Sequence, residues 1–211
     1  MNIVGGIGYI LSLIPFLNIF SPILTGVAWF QAGSRTGQTL FRVTGILMIV
    51  SFLLGMGLLA VLLGTIFSAI AAFPSFLAGA ELSEEIVPAL ISNFAGALAG
   101  IVVAALALGA VGIAVFFTEL VSHFRAAKIF NSAWFSRAAW MRILTIVVVV
   151  VFIAGLVVLG LISPSALMAD GADFMGGTVL LLILPAIITG LLANVFSAVA
   201  FFTAETPPKP A

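Results

Sequence analysis

Apolar runs of about twenty residues or more, separated by short polar segments, make up most of this chain. Coiled as helix, such a run crosses roughly 30 Å of hydrocarbon, and its backbone groups are then satisfied within the segment itself. A soluble globule is excluded. Composition agrees, because 64% of the 211 residues are hydrophobic and only 7% are charged, where a soluble domain carries about 25% charge. Net charge is zero and Cys is absent, so neither a nucleic-acid footprint nor a disulfide framework is indicated.

The chain therefore reads as an all-α, polytopic transmembrane helical bundle forming one domain over residues 1–206, with a Pro-rich tail at 207–211. About five spans are expected, near 12–31, 43–72, 89–122, 143–163 and 178–203. Arg35, Arg42, Arg125, Lys128, Arg137, Arg142 and Lys209 then fall on one side. The opposite loops hold Glu81, Glu84, Glu85, Asp170 and Asp173 with no Lys or Arg. By the positive-inside rule the first side is cytoplasmic, which puts the N-terminus outside and the C-terminus inside a cell membrane. Trp29, Trp134 and Trp140 fall at the same face, where an indole keeps its N–H hydrated.

Met1 to Gly8 lacks Lys and Arg, so the basic region of a signal peptide is missing. Pro15 and Pro22 break the helical register. Residues 3–14 are expected as a short outer-leaflet or interfacial helix, followed by a span from Pro15 to Gln31. A re-entrant hairpin is the alternative. The third span is long enough, about 51 Å at 1.5 Å per residue, to project into the cytoplasm through His123 and Arg125.

Small residues recur at helical spacing, and in lipid they let helices approach closely. Asn93, Gly96, Gly100 and Ala104 form one stripe, Ala60, Gly64 and Ser68 a second, and Ala186, Gly190, Asn194 and Ser197 a third. These are the expected helix-packing faces. An aromatic echo, Val27-Ala28-Trp29-Phe30, Val115-Phe116-Phe117 and Val199-Ala200-Phe201-Phe202, ends the odd-numbered spans.

Groups able to do chemistry are few. His123 is the only histidine, so a bis-histidine haem or a His/Cys zinc site cannot be built from one chain. Gly55-Met56-Gly57-Leu58-Leu59-Ala60 matches the dinucleotide fingerprint formally but lies inside an apolar span without a preceding strand. No catalytic residue, metal or cofactor is assigned, and an enzyme is the least expected class. Glu119 is expected in an interfacial ion pair with His123 or Arg125, and Asn194 in a hydrogen bond across helices. Between His123 and Arg142 the third loop interleaves Arg125, Lys128 and Arg137 with Trp134 and Trp140. It reads as a topological anchor, with contact to anionic lipid or to a protein partner as alternatives.

Gly5-Gly6-Ile7-Gly8, Ile14-Pro15-Phe16, Arg42 after a short polar loop, Phe116-Phe117 and Ala198-Val199-Ala200-Phe201-Phe202-Thr203 carry one resemblance. With these residues the chain resembles an archaeal family of small multi-spanning membrane proteins, domain of unknown function 996. The resemblance implies an archaeal cell membrane and no particular activity. The leading reading is an accessory or scaffold subunit whose partners are the lipid bilayer, other membrane-protein subunits or copies of itself. The alternative is a small oligomeric transporter or channel, which would require Asn93, Asn194, Ser197 and Glu119 to converge on a cavity.

Overall fold

The computed structural model describes residues 3–77, 86–162 and 171–205. Their regular structure is helical: α1 (Ile3–Leu11), a single 3-10 turn (Leu17–Phe20), α2 (Ser21–Thr36), α3 (Thr39–Leu77), α4 (Ile86–Ile129), α5 (Ala133–Ile162) and α6 (Gly171–Thr203). Four segments, Thr39–Ser68, Leu98–Ile129, Ala133–Gly155 and Leu184–Thr203, are long and apolar enough to cross a membrane. The chain is a helical membrane protein. The acidic loop residues Glu81, Glu84, Glu85 and Asp170, the side chains of Asn93 and Asp173, and the tail with Lys209 lie outside the described residues.

These four match the second to fifth expected spans. The first is different, because residues 12–31 do not make one helix. Pro15 has no N–H, and Phe16 takes a left-handed φ of 67°, so the chain turns between α1 and α2. α2 restarts with Pro22 in its first turn, where a missing N–H costs nothing. At 16 residues it is about 24 Å long, short of a full hydrocarbon core. Gly37, with a φ of 69°, ends it in the left-handed conformation that glycine adopts without strain.

α1 runs antiparallel to α2 at very short range. A Cβ on Gly5 would stand 2.9 Å from the Ala28 methyl, and one on Gly8 would stand 2.9 Å from the Thr25 backbone nitrogen. Each helix packs against the next in chain order, and α6 packs back against α1. The result is a closed ring of six helices among the described residues.

The buried core sits on the ring axis at the end that carries the basic residues. Trp29, Phe41, Phe135 and Phe201 have essentially no exposed surface. Trp29 and Phe201 meet edge to face at 5.1 Å, and Phe135 and Phe201 at 5.3 Å, arrangements that favour ring quadrupoles. Trp29 therefore belongs to the core and is not a headgroup-level marker, whereas Trp140 is exposed. The two buried aromatics of the sequence echo, Trp29 and Phe201, are plug residues, while Phe117 is exposed.

Away from this end the helices part. Only 6% of the most apolar window of α3 is buried and none of that of α4. Most of the expected small-residue positions fall here and, apart from the buried Ser197, they are not close-approach faces among the described residues. No atom lies within 4 Å of a Cβ built on Gly64, Gly96, Gly100 or Gly190, and Ala104 is only half-buried. Tight contacts instead use glycines at the basic end. A Cβ on Gly26 would stand 2.8 Å from the Gly45 carbonyl oxygen, and one on Gly33 would stand 2.7 Å from the Arg42 nitrogen.

Candidate functional site

The axial core is not wholly apolar. Glu119 of α4 and Arg142 of α5 form an ion pair at 2.5 Å with side chains only 12% and 9% exposed. The pair expected from local spacing, with His123 or Arg125, is replaced by one with the next helix. Four residues along α4, His123 faces the same axis one turn away. Its ring nitrogen Nδ1 lies 2.8 Å from the Glu119 backbone carbonyl, which can only accept, so Nδ1 carries a proton.

Tyr9 connects α1 to this pair. Its hydroxyl donates to Glu119 Oε1 at 2.6 Å and accepts from Trp29 Nε1 at 2.9 Å. The Arg142 guanidinium donates to Ser197 Oγ at 2.9 Å and lies 5.6 Å from the centre of the Tyr9 ring. His123 Nε2 stands 3.0 Å from the same Ser197 oxygen, whose hydroxyl also reaches the Ala193 carbonyl at 2.7 Å. With a neutral imidazole, Nε2 and that carbonyl share the single proton of Ser197. Five helices thus meet in one network, and a second hydroxyl pair, Thr44 with Ser122 at 2.9 Å, ties α3 to α4 beside it. A charge pair buried this deeply persists only when its remaining hydrogen-bonding capacity is met.

Directly beyond the network, toward the parted ends of the helices, lies a cavity of about 180 Å³. Its polar lining is Tyr9 of α1 and Ser12 just after it, Ser21 and Thr25 of α2, Ser51 of α3, Glu119 of α4 and Asn194 of α6, and Pro22, Met48 and Val115 supply apolar wall between them. Both bonds to the Glu119 carboxylate fall on Oε1. No buried side-chain oxygen or nitrogen among the described residues lacks a partner, so Oε2 is left for the cavity. The Ser12 and Thr25 hydroxyls donate to the carbonyls of Tyr9 and Ser21 at 2.6 and 2.7 Å, which leaves them as acceptors only. The Asn194 side chain makes no hydrogen bond to another described residue. It lines the cavity in place of the expected bond across helices.

Among the described residues no group of three His, Cys, Asp or Glu could hold a metal ion. What the cavity can do is bind a small molecule by hydrogen bonds, with a half-used carboxylate at its floor and an aromatic plug beneath.

The third loop is shorter than expected. α4 continues to Ile129 and α5 begins at Ala133, with Asn131 in a left-handed turn between them. His123 and Arg142 are core residues, whereas Arg125, Lys128 and Arg137 are exposed. Trp134 packs on Phe196 at 5.6 Å, and the Arg137 guanidinium lies 4.5 Å from its ring centre.

Tyr9 and the partnership of Trp29, Arg142 and Ser197 were not anticipated from the sequence. The available signal was chemical: Tyr9 is the only tyrosine in a chain with few polar groups, and a hydroxyl within an apolar run needs a partner. No family model, curated protein or solved structure matches the chain.

Proposed function

We propose that the chain is a multi-pass protein of a cell membrane that binds a small polar solute on its axis and carries it across, with the basic end closed by the aromatic plug. The observation that supports this reading is the convergence of Glu119 and Asn194 on one polar cavity, with Ser197 joined to Glu119 through Arg142. Two of the four residues required by the transporter alternative, Glu119 and Asn194, line this cavity, while Ser197 is buried in the adjoining network and the Asn93 side chain lies outside the described residues. Intramembrane ionisable groups are expensive and mark solute or ion paths by default, whereas a subunit that only packs has no use for a cavity that holds a carboxylate and an amide. The resemblance to the archaeal family is carried into this proposal as a cell-membrane location alone.

In this proposal the basic end faces the cytoplasm. Because α1 is antiparallel to α2, the start of α1 then lies at that same end, opposite to the side that five alternating spans assign. Residues 3–36 then form a re-entrant hairpin. Irregular backbone in lipid is costly unless its polar groups are satisfied, and the turn bonds itself: Ser12, Leu13, Ile14 and Asn18 N–H donate to the carbonyls of Gly8, Ile10, Leu11 and Ile14.

The accessory-subunit reading draws on a separate observation, the exposed apolar faces of α3 and α4. One experiment separates the two. Purified protein in liposomes is expected to pass small polar solutes above background, with passage abolished by Asn194→Leu and by Glu119→Gln while circular dichroism stays helical. Passage no greater than in empty liposomes across a panel of polyols, amides and amines overturns the transport reading in favour of the accessory one.

A further inference from the structure

A second recess, separate from the axial cavity, opens at the basic end between the approach to α3 and the last turns of α4. It is a groove of about 410 Å³ lined by Gln38, Val121, Phe124, Arg125, Lys128 and Ile129. Arg125 and Lys128 are exposed and three residues apart, so they stand side by side on the helix surface. The only ion pair among the described residues is that of Arg142 with Glu119. The groove's two cations therefore have no described carboxylate to neutralise them, and its lining has none to attract a positive headgroup.

The apolar wall of the groove continues along α4. Ile113, Phe117 and Val121 are 62%, 58% and 51% exposed and recur every four residues, which places them on one stripe leading to Arg125. A long apolar track ending in two cations and an amide has the shape and charge order of a lipid with an anionic head. A free anion would use the cations but not the track. A zwitterionic lipid would bring a cation that finds no acceptor charge.

We propose that this groove is a binding site for an anionic glycerophospholipid. Arg125, Lys128 and the Gln38 amide hold the phosphate, and one acyl chain lies along Val121, Phe117 and Ile113. The assignment is independent of whether the axial cavity carries a solute, since the groove shares no lining residue with it.

The test is native mass spectrometry of the full chain in detergent micelles, titrated with phosphatidylglycerol or with phosphatidylcholine of identical acyl chains. Phosphatidylglycerol is expected to bind about thirtyfold more tightly, the ratio that follows from two cations acting near an anionic headgroup. The double variant R125Q/K128Q is expected to bring phosphatidylglycerol down to the level of phosphatidylcholine. Both positions are exposed, so the fold is retained. R137Q, whose side chain lies on α5 against Trp134, is expected to leave the preference intact. Equal binding of the two lipids by the unaltered chain overturns the proposal, as does undiminished phosphatidylglycerol binding by R125Q/K128Q. Displacement of bound phosphatidylglycerol by millimolar inorganic phosphate identifies a free-anion site and overturns it as well.

Discussion

Glu119 illustrates how one side chain can hold together parts of a chain that are remote in sequence. It accepts from Tyr9, 110 positions earlier, and from Arg142, 23 positions later. Glu119→Gln leaves Arg142 as a buried charge without a counter-charge, and is expected to destabilise the protein by about 3–5 kcal/mol. Removing both charges in Glu119→Leu/Arg142→Met is expected to restore most of that loss, as read from reversible unfolding in mixed micelles. If the double variant is no more stable than the single, the two charges are not coupled. Tyr9→Phe strips Trp29 of its acceptor and Glu119 of a donor, with an expected loss of about 1–3 kcal/mol in the same measurement. At this scale the sequence was partly legible. The rarity of polar groups singled out Glu119, His123 and Asn194, but local spacing pairs Glu119 with neighbours on its own helix. Partners on other helices carry no periodic signal, and so Tyr9 and Ser197 could not be matched to it.

Helix positions are legible because hydropathy acts locally: α3 to α6 coincide with the four later apolar runs. Helix faces are harder. A small-residue stripe permits close approach without compelling it, and in a Gly-rich chain several stripes compete. The ones that look most regular, through Gly64, Gly96 and Gly100, lie where the helices have parted. The one used between α2 and α3 places Gly26 against Gly45. A Cβ on Gly45 would stand 2.7 Å from the Phe30 backbone nitrogen, and backbone cannot yield as a flexible side chain can. Gly45→Ala is therefore expected to destabilise by about 1–3 kcal/mol through overpacking. Gly100→Ala meets open space and is expected to be neutral or to stabilise by roughly 0.5–1 kcal/mol, since alanine loses less entropy in a helix. Thermal unfolding of the pair in one detergent decides the matter, and equal losses at both sites would return the contact to the Gly100 stripe.

For the whole molecule the closing contact is that of α1 with α6. Alternation of spans assumes that every apolar run crosses, and in the proposal above α1 with α2 does not, folding back at Pro15 and Phe16. The chain is free of Cys, so single cysteines can report the outcome. A cysteine at position 3 and one at position 128 are expected to react with an impermeant maleimide from the same side of sealed vesicles. Reaction from opposite sides would restore a full first span. The same contact has a consequence for how the protein is made. Glu119 and Arg142 sit on consecutive helices and can enter the bilayer as a mutually neutral hairpin shortly after one another. α1 is synthesised well before α6 and must wait for it before Gly5 can seat against Phe201 and Tyr9 can be shut in. A nascent chain arrested before α6 has a ring with a missing wall and no seal, so the basic end closes only once α6 has been made and inserted.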